Sequence, residues 1–299
     1  MTHHPSASVS RRQFLVGTGV ATGAVLLGAC GGTSSPGSAS PTTAAGSGLS
    51  LVQFFGGLPM LVAGSKVRAP FGMADGHGLL PVDKTPAELT VTLAGPDGKP
   101  VGQPSVVRRH GEGLPRSYYP LHFTVADPGI YTGRTEVEGQ ALEMAIKVDA
   151  AADVSVIQPG AALPRLTTPT TTDAHGVNPI CTRDPVCALH DTTADAVVAQ
   201  GRPLALLIAS PAFCQVAICG PVLDVLLGVV DRYPKVTFLH EEVYAHPKDN
   251  LDEQAPVVGE LGLAFEPCLV LVGSNGRVVD RLDTIFDTHE LNDALALLT

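Results

Sequence analysis

The sequence predicts two folded parts of different class, an all-β part followed by an α/β part. Short runs of alternating apolar and polar residues, separated by turn signals, fill the chain between about residues 50 and 150. Continuous apolar runs of strand length, interspersed with apolar residues at helical spacing, follow from residue 180 onward. Period-two alternation is typical of half-buried antiparallel strands, whereas buried strands alternating with helices are typical of an α/β sheet. The 299 residues are enough for two such cores.

The N-terminus has the order of features of an export signal. Arg11 and Arg12 stand in a twin-arginine motif, and the apolar stretch 14–27 that follows is short for a membrane span. It runs into Leu-Gly-Ala-Cys ending at Cys30, which is similar to a bacterial lipobox and implies lipidation of that cysteine. We predict a signal peptide over residues 1–29 and a protein lipid-anchored on the outer, extracytoplasmic face of the cell membrane. The alternative is an uncleaved anchor helix.

The segment after the lipobox and the overall charge limit the possible roles of the chain. Residues 31–48 contain only Gly, Ser, Thr, Ala and Pro, so residues 30–49 are predicted to be a flexible tether. The chain has 19 Lys and Arg against 29 Asp and Glu, with no basic run. Nucleic acid is therefore excluded as an expected partner.

The first folded part, residues 50–150, is predicted to be a β-sandwich. Alternating runs occur at 89–93, 121–125 and 142–146, with turn signals such as Gly-Pro-Asp-Gly between them. The block DPGIYTGRTEVEG at 127–139 resembles the late strands of immunoglobulin-like domains. This part contains no cysteine, so an immunoglobulin-type disulfide is excluded. A spacer or partner-binding role is the expectation.

A linker rich in Ala, Pro and Thr, residues 151–179, precedes the second folded part, residues 180–299. The strands predicted there are 204–209, 236–239, 268–272 and 278–282. The helices predicted there are 221–230, 257–263 and one beginning at 288, with Thr288 as its cap. The predicted order is β-α-β-α-β-β-α.

That order resembles the thioredoxin fold. Phe213-Cys214 follows a buried strand, where thioredoxins have an aromatic residue and their first active-site cysteine. Glu266-Pro267 precedes the hairpin, where the family has a cis-proline that faces the cysteines. The blocks ICTRDPVCALHD, SPAFCQVAICGP and EPCLVLV are similar to those of poorly characterised actinobacterial lipoproteins with a thioredoxin-like C-terminal half. The resemblance implies thiol–disulfide exchange by Cys214 and Cys219, with Pro267 opposite them.

The spacing of this cysteine pair sets a geometric condition. Thioredoxins have two residues between their cysteines, whereas this chain has four. A helix rises about 1.5 Å per residue, so positions five apart lie over ~7 Å apart along the axis, too far for a disulfide. If the pair bonds, we predict that the main helix begins near Gly220, with Cys214 on an irregular turn before it. The rival placement begins the helix at Cys214. By analogy with the family, Cys214 is the attacking sulfur and Cys219 the resolving one.

The other cysteines have interpretations of their own. Cys181 and Cys187 flank an Asp-Pro turn and are predicted to form a structural disulfide, with a second redox couple as the alternative. Cys268 follows Pro267 and is interpreted as a small buried apolar residue. Its alternatives are a third participant in exchange or a soft metal ligand.

No metal or other cofactor is predicted. A thioredoxin-fold copper chaperone would combine Cys214 and Cys219 with a distant histidine. The candidate histidines are His240, His246 and His289. The sequence His-Glu-Glu at 240–242 is interpreted as a solvated rim.

The favoured function is that of an extracytoplasmic thiol–disulfide oxidoreductase, whose partners are thiols or disulfides of exported proteins. A non-catalytic binding lipoprotein with closed disulfides is the first alternative, and a copper chaperone is the second.

Overall fold

The structure is a computed structural model that describes residues 48–299. The twin arginines, Cys30 and the tether up to residue 47 lie outside the described residues. Residues 49–299 form one compact unit. Across this unit, no helix combines the length and the apolar character needed to cross a bilayer.

The described part contains fourteen β-strands and four α-helices. The strands are β1 (Ser50–Gln53), β2 (Lys66–Asp75), β3 (Gly78–Leu79), β4 (Glu88–Ala94), β5 (Pro100–Arg108), β6 (Tyr119–Thr124), β7 (Gly129–Val137), β8 (Gln140–Val148), β9 (Leu204–Ile208), β10 (Thr237–Glu241), β11 (Tyr244–His246), β12 (Asn250–Gln254), β13 (Cys268–Val272) and β14 (Val278–Asp283). The helices are α1 (Ala194–Ala199), α2 (Cys219–Leu227), α3 (Pro256–Glu260) and α4 (Thr288–Leu295).

Two antiparallel sheets make up the first part. In one, β2 pairs with β1, β3 and β6; in the other, the order is β5-β4-β7-β8. Side chains from both sheets, such as Phe71 and Ile146, share one apolar core. Strand β5 contains two prolines and lies at the sheet edge, where a missing N–H is tolerated. The alternating runs predicted at 89–93, 121–125 and 142–146 fall on β4, β6 and β8. The likeness to immunoglobulin domains stays a prediction.

A four-stranded mixed sheet of order β10-β9-β13-β14 lies at the centre of the second part. Strands β9 and β10 are parallel, whereas β13 is antiparallel to both β9 and β14. Along the chain, these strands and the helices α2, α3 and α4 follow the order β-α-β-α-β-β-α that the resemblance to thioredoxins implies. A β11–β12 hairpin, which the sequence did not predict, is inserted between β10 and α3.

The central sheet is covered on both faces. Ala205, Leu207 and Leu269 face one apolar cluster, which contains Cys219 and the buried side of α2. The alternate residues, such as Leu206 and Cys268, face a second cluster on the opposite side. Because successive side chains of a strand point to opposite faces, β9 and β13 are apolar at every position.

The segment between the two parts lies along the edge of this sheet. The backbone N–H of Val278 donates to the carbonyl of Ala161 at 2.9 Å, and Leu163 N–H donates to Gly276 at 2.9 Å. Val156 and Leu166 are buried in the second cluster. The segment is therefore packed against the sheet.

A buried ion pair joins the β part to the last helix. Arg68 Nε on β2 lies 2.6 Å from Glu290 Oε1 on α4, and the hydroxyl of Tyr118 donates to Glu290 Oε2 at 2.6 Å. Burial alone would raise the pKa of Glu290, but the Arg68 guanidinium outweighs it and holds that pKa below its ordinary value. The two parts thus share a desolvated, fully hydrogen-bonded polar contact.

The cap of α4 differs from the prediction. Asp287, one residue before Thr288, is the N-cap, and its side chain accepts from the N–H of Glu290 at 3.0 Å. Asp287 also accepts from Gly111 N–H at 2.9 Å and lies 2.9 Å from His110 Nδ1. The prediction of Thr288 as the cap was wrong. Asp287 caps the helix instead, because its carboxylate accepts both from Glu290 N–H in the helix and from Gly111 N–H in the β part.

Candidate functional site

Cys214 and Cys219 are joined by a disulfide, with their Cα atoms 5.9 Å apart. The chain leaves β9 at Ile208, makes an irregular turn that carries Cys214, and enters α2 at Cys219. Ala217 has a φ of 52°, in the left-handed region, and its N–H donates to the carbonyl of Cys214 at 3.3 Å. This turn brings the two cysteines within bonding reach, as the geometric condition required. The helix begins one residue before Gly220, and the rival placement from Cys214 was wrong.

The two sulfurs differ in exposure. Cys214 is half-buried, whereas Cys219 is 0 % exposed. The backbone N–H of Cys219, at the first position of α2, donates to Cys214 Sγ at 3.4 Å. Free N–H groups and the dipole at a helix N-terminus stabilise a thiolate. The arrangement therefore favours negative charge on the more accessible sulfur once the disulfide is reduced.

Glu266 is the ionisable group closest to the buried sulfur. Its Oε2 lies 3.4 Å from Cys219 Sγ and accepts from the N–H of Ser210 at 2.9 Å. Burial raises the pKa of Glu266 to about 7, with a further contribution from the charge of Glu242. A carboxyl group with this pKa exchanges protons readily near neutral pH. In the sequence Glu266 stands out only as the residue before Pro267.

Pro267 and Phe213 flank this arrangement. The Glu266–Pro267 peptide is cis, and Pro267 is buried directly before β13. Phe213 is half-buried and packs against the apolar cluster on the opposite sheet face. Its N–H donates to the carbonyl of Ser210 at 3.1 Å, which fixes the beginning of the turn.

Cys268 lies apart from the disulfide. It is 0 % exposed and belongs to the cluster on the sheet face opposite to that of Cys219. Its Sγ lies 3.5 Å from Asp283 Oδ1, and burial raises its pKa well above the ordinary value. The position agrees with the prediction of a small buried residue, on the other side of the sheet from Cys219.

Cys181 and Cys187 are free thiols in the structure, although a disulfide between them was predicted. Their Sγ atoms lie 3.8 Å apart, nearly twice the length of an S–S bond. Two imidazoles adjoin them: His190 Nε2 lies 3.2 Å and His240 Nδ1 lies 3.5 Å from Cys187 Sγ. The four side chains form a compact buried cluster that the sequence spacing did not reveal.

The predicted solvated rim at 240–242 was wrong. His240 and Glu242 are 0 % exposed and Glu241 is 2 % exposed. The N–H and hydroxyl of Thr182 donate to the Glu242 carboxylate at 2.6 and 3.2 Å, so the loop after Cys181 covers this strand end. A strand end that carries polar residues looks solvated from the sequence alone, because the covering loop lies far away along the chain.

The histidines proposed for a copper chaperone do not join the disulfide pair. His240 belongs to the cluster with Cys181 and Cys187, and His289 lies 3.0 Å from Glu112 in an exposed pair. Among residues 48–299, the side chain that completes a group of potential ligands with Cys214 and Cys219 is Glu266. A two-cysteine, one-histidine copper site is therefore not assembled here.

The β part reaches the disulfide turn. Arg116 Nη2 donates to the carbonyl of Val216 at 3.1 Å, and Leu114 packs against the cluster that contains Cys219. Val216 itself is exposed. The approach to Cys214 is therefore bounded on one side by the loop before β6.

Comparisons with known proteins give little further information. No protein-family model matches the chain. No curated protein matches it either. A solved structure described as "Structure of MTB dsbF in its mixed oxidized and reduced forms" is similar at 22% identity, over 37% of this chain and 89% of that one, with a TM-score of 0.29. A likeness at this score carries no argument, and the fold described above stands on strand order and register.

Proposed function

We propose that the chain is a thiol–disulfide oxidoreductase that acts through Cys214 and Cys219. The observation that carries this proposal is the contact between the buried sulfur of Cys219 and the Glu266 carboxyl, beside a half-exposed Cys214. A purely structural disulfide needs neither an accessible sulfur nor a proton donor next to its partner. Support also comes from the position of the pair, between the first strand of the central sheet and the N-terminus of α2.

The proposed reaction moves two electrons from a partner dithiol to the disulfide. A partner thiolate attacks Cys214 Sγ, the Cys214–Cys219 bond breaks, and Cys219 leaves as a thiolate that takes the proton of Glu266. The second partner thiolate then attacks the partner sulfur of the mixed disulfide and releases Cys214 as a thiolate. The partner ends as a disulfide and this chain as a dithiol. The same steps in reverse reduce a partner disulfide.

The proposed place of action is the outer face of the cell membrane, on thiols or disulfides of exported proteins. Support for this location comes from the sequence alone: the twin arginines at positions 11 and 12, the short apolar stretch, and the lipobox ending at Cys30. In this proposal the lipid at Cys30 holds the protein to the membrane, and the Gly/Ser/Thr/Pro-rich segment after it is the tether through which the folded part reaches its partners.

Trapping of mixed disulfides tests the function. A Cys219→Ala variant keeps the attacking sulfur but cannot resolve, so it accumulates mixed disulfides through Cys214 with exported proteins. The matched control carries Cys214→Ala as well and accumulates none. Absence of mixed disulfides in the single variant, together with a reduction potential of the native pair below about −300 mV, would show a closed structural bond. The protein would then be a binding lipoprotein.

A further inference from the structure

The cluster formed by Cys181, Cys187, His190 and His240 has the donors of a metal site. Each residue offers one ligand atom, and the four atoms lie within 4.8 Å of one another. All four residues are buried, with exposed fractions between 0 and 7 %. We infer that these four residues bind one zinc ion in a closed tetrahedral site with a structural role. The inference does not require that Cys214 and Cys219 be redox-active.

The distances agree with tetrahedral coordination. Zn–S bonds of about 2.3 Å and Zn–N bonds of about 2.0 Å at tetrahedral angles place two sulfur ligands ~3.8 Å apart and sulfur and nitrogen ligands ~3.5 Å apart. Cys181 and Cys187 Sγ are 3.8 Å apart, and the two imidazole nitrogens are 3.2 and 3.5 Å from Cys187 Sγ. A disulfide would require the two Sγ atoms to move from 3.8 Å to about 2.05 Å apart.

The orientation of His240 supports a ligand role. Its Nε2 lies 2.9 Å from the carbonyl oxygen of Ala209, an atom that only accepts hydrogen bonds, so Nε2 carries the proton. In the neutral imidazole the lone pair is then on Nδ1, the atom that points at the cluster. Metal-bound histidines commonly donate their other ring N–H to a backbone carbonyl in this way, which fixes both the tautomer and the ring plane.

Charge and metal preference favour zinc. Two thiolates and two neutral imidazoles around Zn²⁺ have no net charge, so the filled site can be buried at low electrostatic cost. The two thiols lose their protons to solvent when the metal binds. Tetrahedral S₂N₂ coordination with four protein ligands is typical of structural zinc and leaves no position open for a substrate.

The zinc site would hold in place the turn and the helix that carry the Cys214–Cys219 disulfide. Thr182, next to Cys181, accepts from the N–H of Ala212 at 3.2 Å, two residues before Cys214. Arg183 Nε donates to Asp224 Oδ1 on α2 at 2.9 Å. One ion that joins the 181–190 loop to β10 therefore also anchors the turn and the helix that carry the cysteine pair.

Elemental analysis of the full chain, purified without chelator under reducing conditions, tests the inference. We expect one zinc per chain, and at least a tenfold loss of bound zinc in Cys187→Ser and in His240→Ala. Two matched controls should keep the full amount: His246→Ala, which removes a neighbouring histidine outside the cluster, and Cys214→Ala/Cys219→Ala, which removes the other cysteine pair. Full zinc content in Cys187→Ser, or loss of zinc in the Cys214→Ala/Cys219→Ala variant, would overturn the assignment.

A second measurement keeps the test decisive if a ligand variant fails to fold. The wild-type chain, stripped with chelator under reducing conditions, is titrated with Zn²⁺ while its thermal midpoint and proton release are followed. Saturation at one equivalent, a raised midpoint and release of thiol protons support the site. No rise in midpoint, or a Cys181–Cys187 disulfide formed in the presence of zinc, would refute it.

Discussion

Glu266 Oε2 and Cys219 Sγ lie 3.4 Å apart, although the two residues are 47 positions apart in the sequence. The carboxyl comes from the residue before a buried proline, and the sulfur lies at the first position of a helix. Their contact gives the disulfide an ionisable neighbour on its buried side. Because burial shifts the pKa of Glu266, the protonation of this carboxyl can be followed through the stability of the folded state.

The stability of the oxidised protein should depend on pH through Glu266. Burial raises the pKa of this carboxyl from 4.5 to about 7. The folded state therefore binds the proton more tightly, and the contribution is fully present below about pH 4.5 and lost as the pH rises through about 7. The difference corresponds to about 3 kcal/mol of unfolding free energy. Denaturant unfolding of the wild type and Glu266→Gln at about pH 4 and about pH 8 measures it, and the variant should lose less stability than the wild type.

The matched control for this measurement is Glu260→Gln, which removes an exposed carboxyl of α3. Four groups act on Glu266: the N–H of Ser210, the sulfur of Cys219, the side chain of Tyr244 and the charge of Glu242. They remain in both variants, so the comparison isolates Glu266. Equal pH dependence in wild type and Glu266→Gln would contradict the prediction.

Cys268→Ala should leave thiol exchange unchanged. The side chain lies on the sheet face opposite to Cys219 and is fully buried, so it has no access to a mixed disulfide at Cys214. The rate at which a small dithiol reduces the oxidised protein should therefore match that of the wild type within experimental error, while Cys214→Ala removes the reaction. A several-fold change in the Cys268→Ala rate would place this thiol in the exchange pathway.

The Arg68–Glu290 pair should be much more important for stability than an exposed ion pair. Arg68→Ala leaves the buried Glu290 carboxylate without its counter-charge, and breaking a buried pair costs about 3–5 kcal/mol. Arg108→Ala breaks the exposed pair with Glu88 and should cost below about 1 kcal/mol. Denaturant midpoints at constant pH measure both. Equal losses in the two variants would mean that the interface contributes little to the fold.

Reduction of the Cys214–Cys219 bond should lower stability only modestly. The sequence separation is 5, and closing so short a loop stabilises by about 2 kcal/mol in the chain-entropy model. Unfolding of Cys214→Ser/Cys219→Ser, compared with the oxidised wild type, gives the value. A loss above about 5 kcal/mol would show that the bond is a main structural element of the domain.

The sequence predicted the four strands of the central sheet, with the bounds of β13 and nearly those of β9 and β14, and in the first part it predicted β4, β6 and β8. Buried strands are apolar over their whole length and half-buried ones alternate, and both patterns are local. For α2 the sequence left two starts open, near Gly220 and at Cys214, and the Cys214–Cys219 disulfide in the structure decides for the first. The β11–β12 hairpin was missed since its strands are short and mostly polar.

The sequence by itself determined the candidate cysteine pair and the chain order of β9, α2, β10, α3, β13, β14 and α4, because each follows from local periodicity or spacing. Only the tertiary structure decided which side chains meet Cys219 and Cys187. Glu266 reaches Cys219 because β13 lies beside β9. His240 reaches Cys187, 53 positions away, because the 181–190 loop covers the end of β10. Contacts of this kind depend on strand pairing and burial, which have no local signature in the chain.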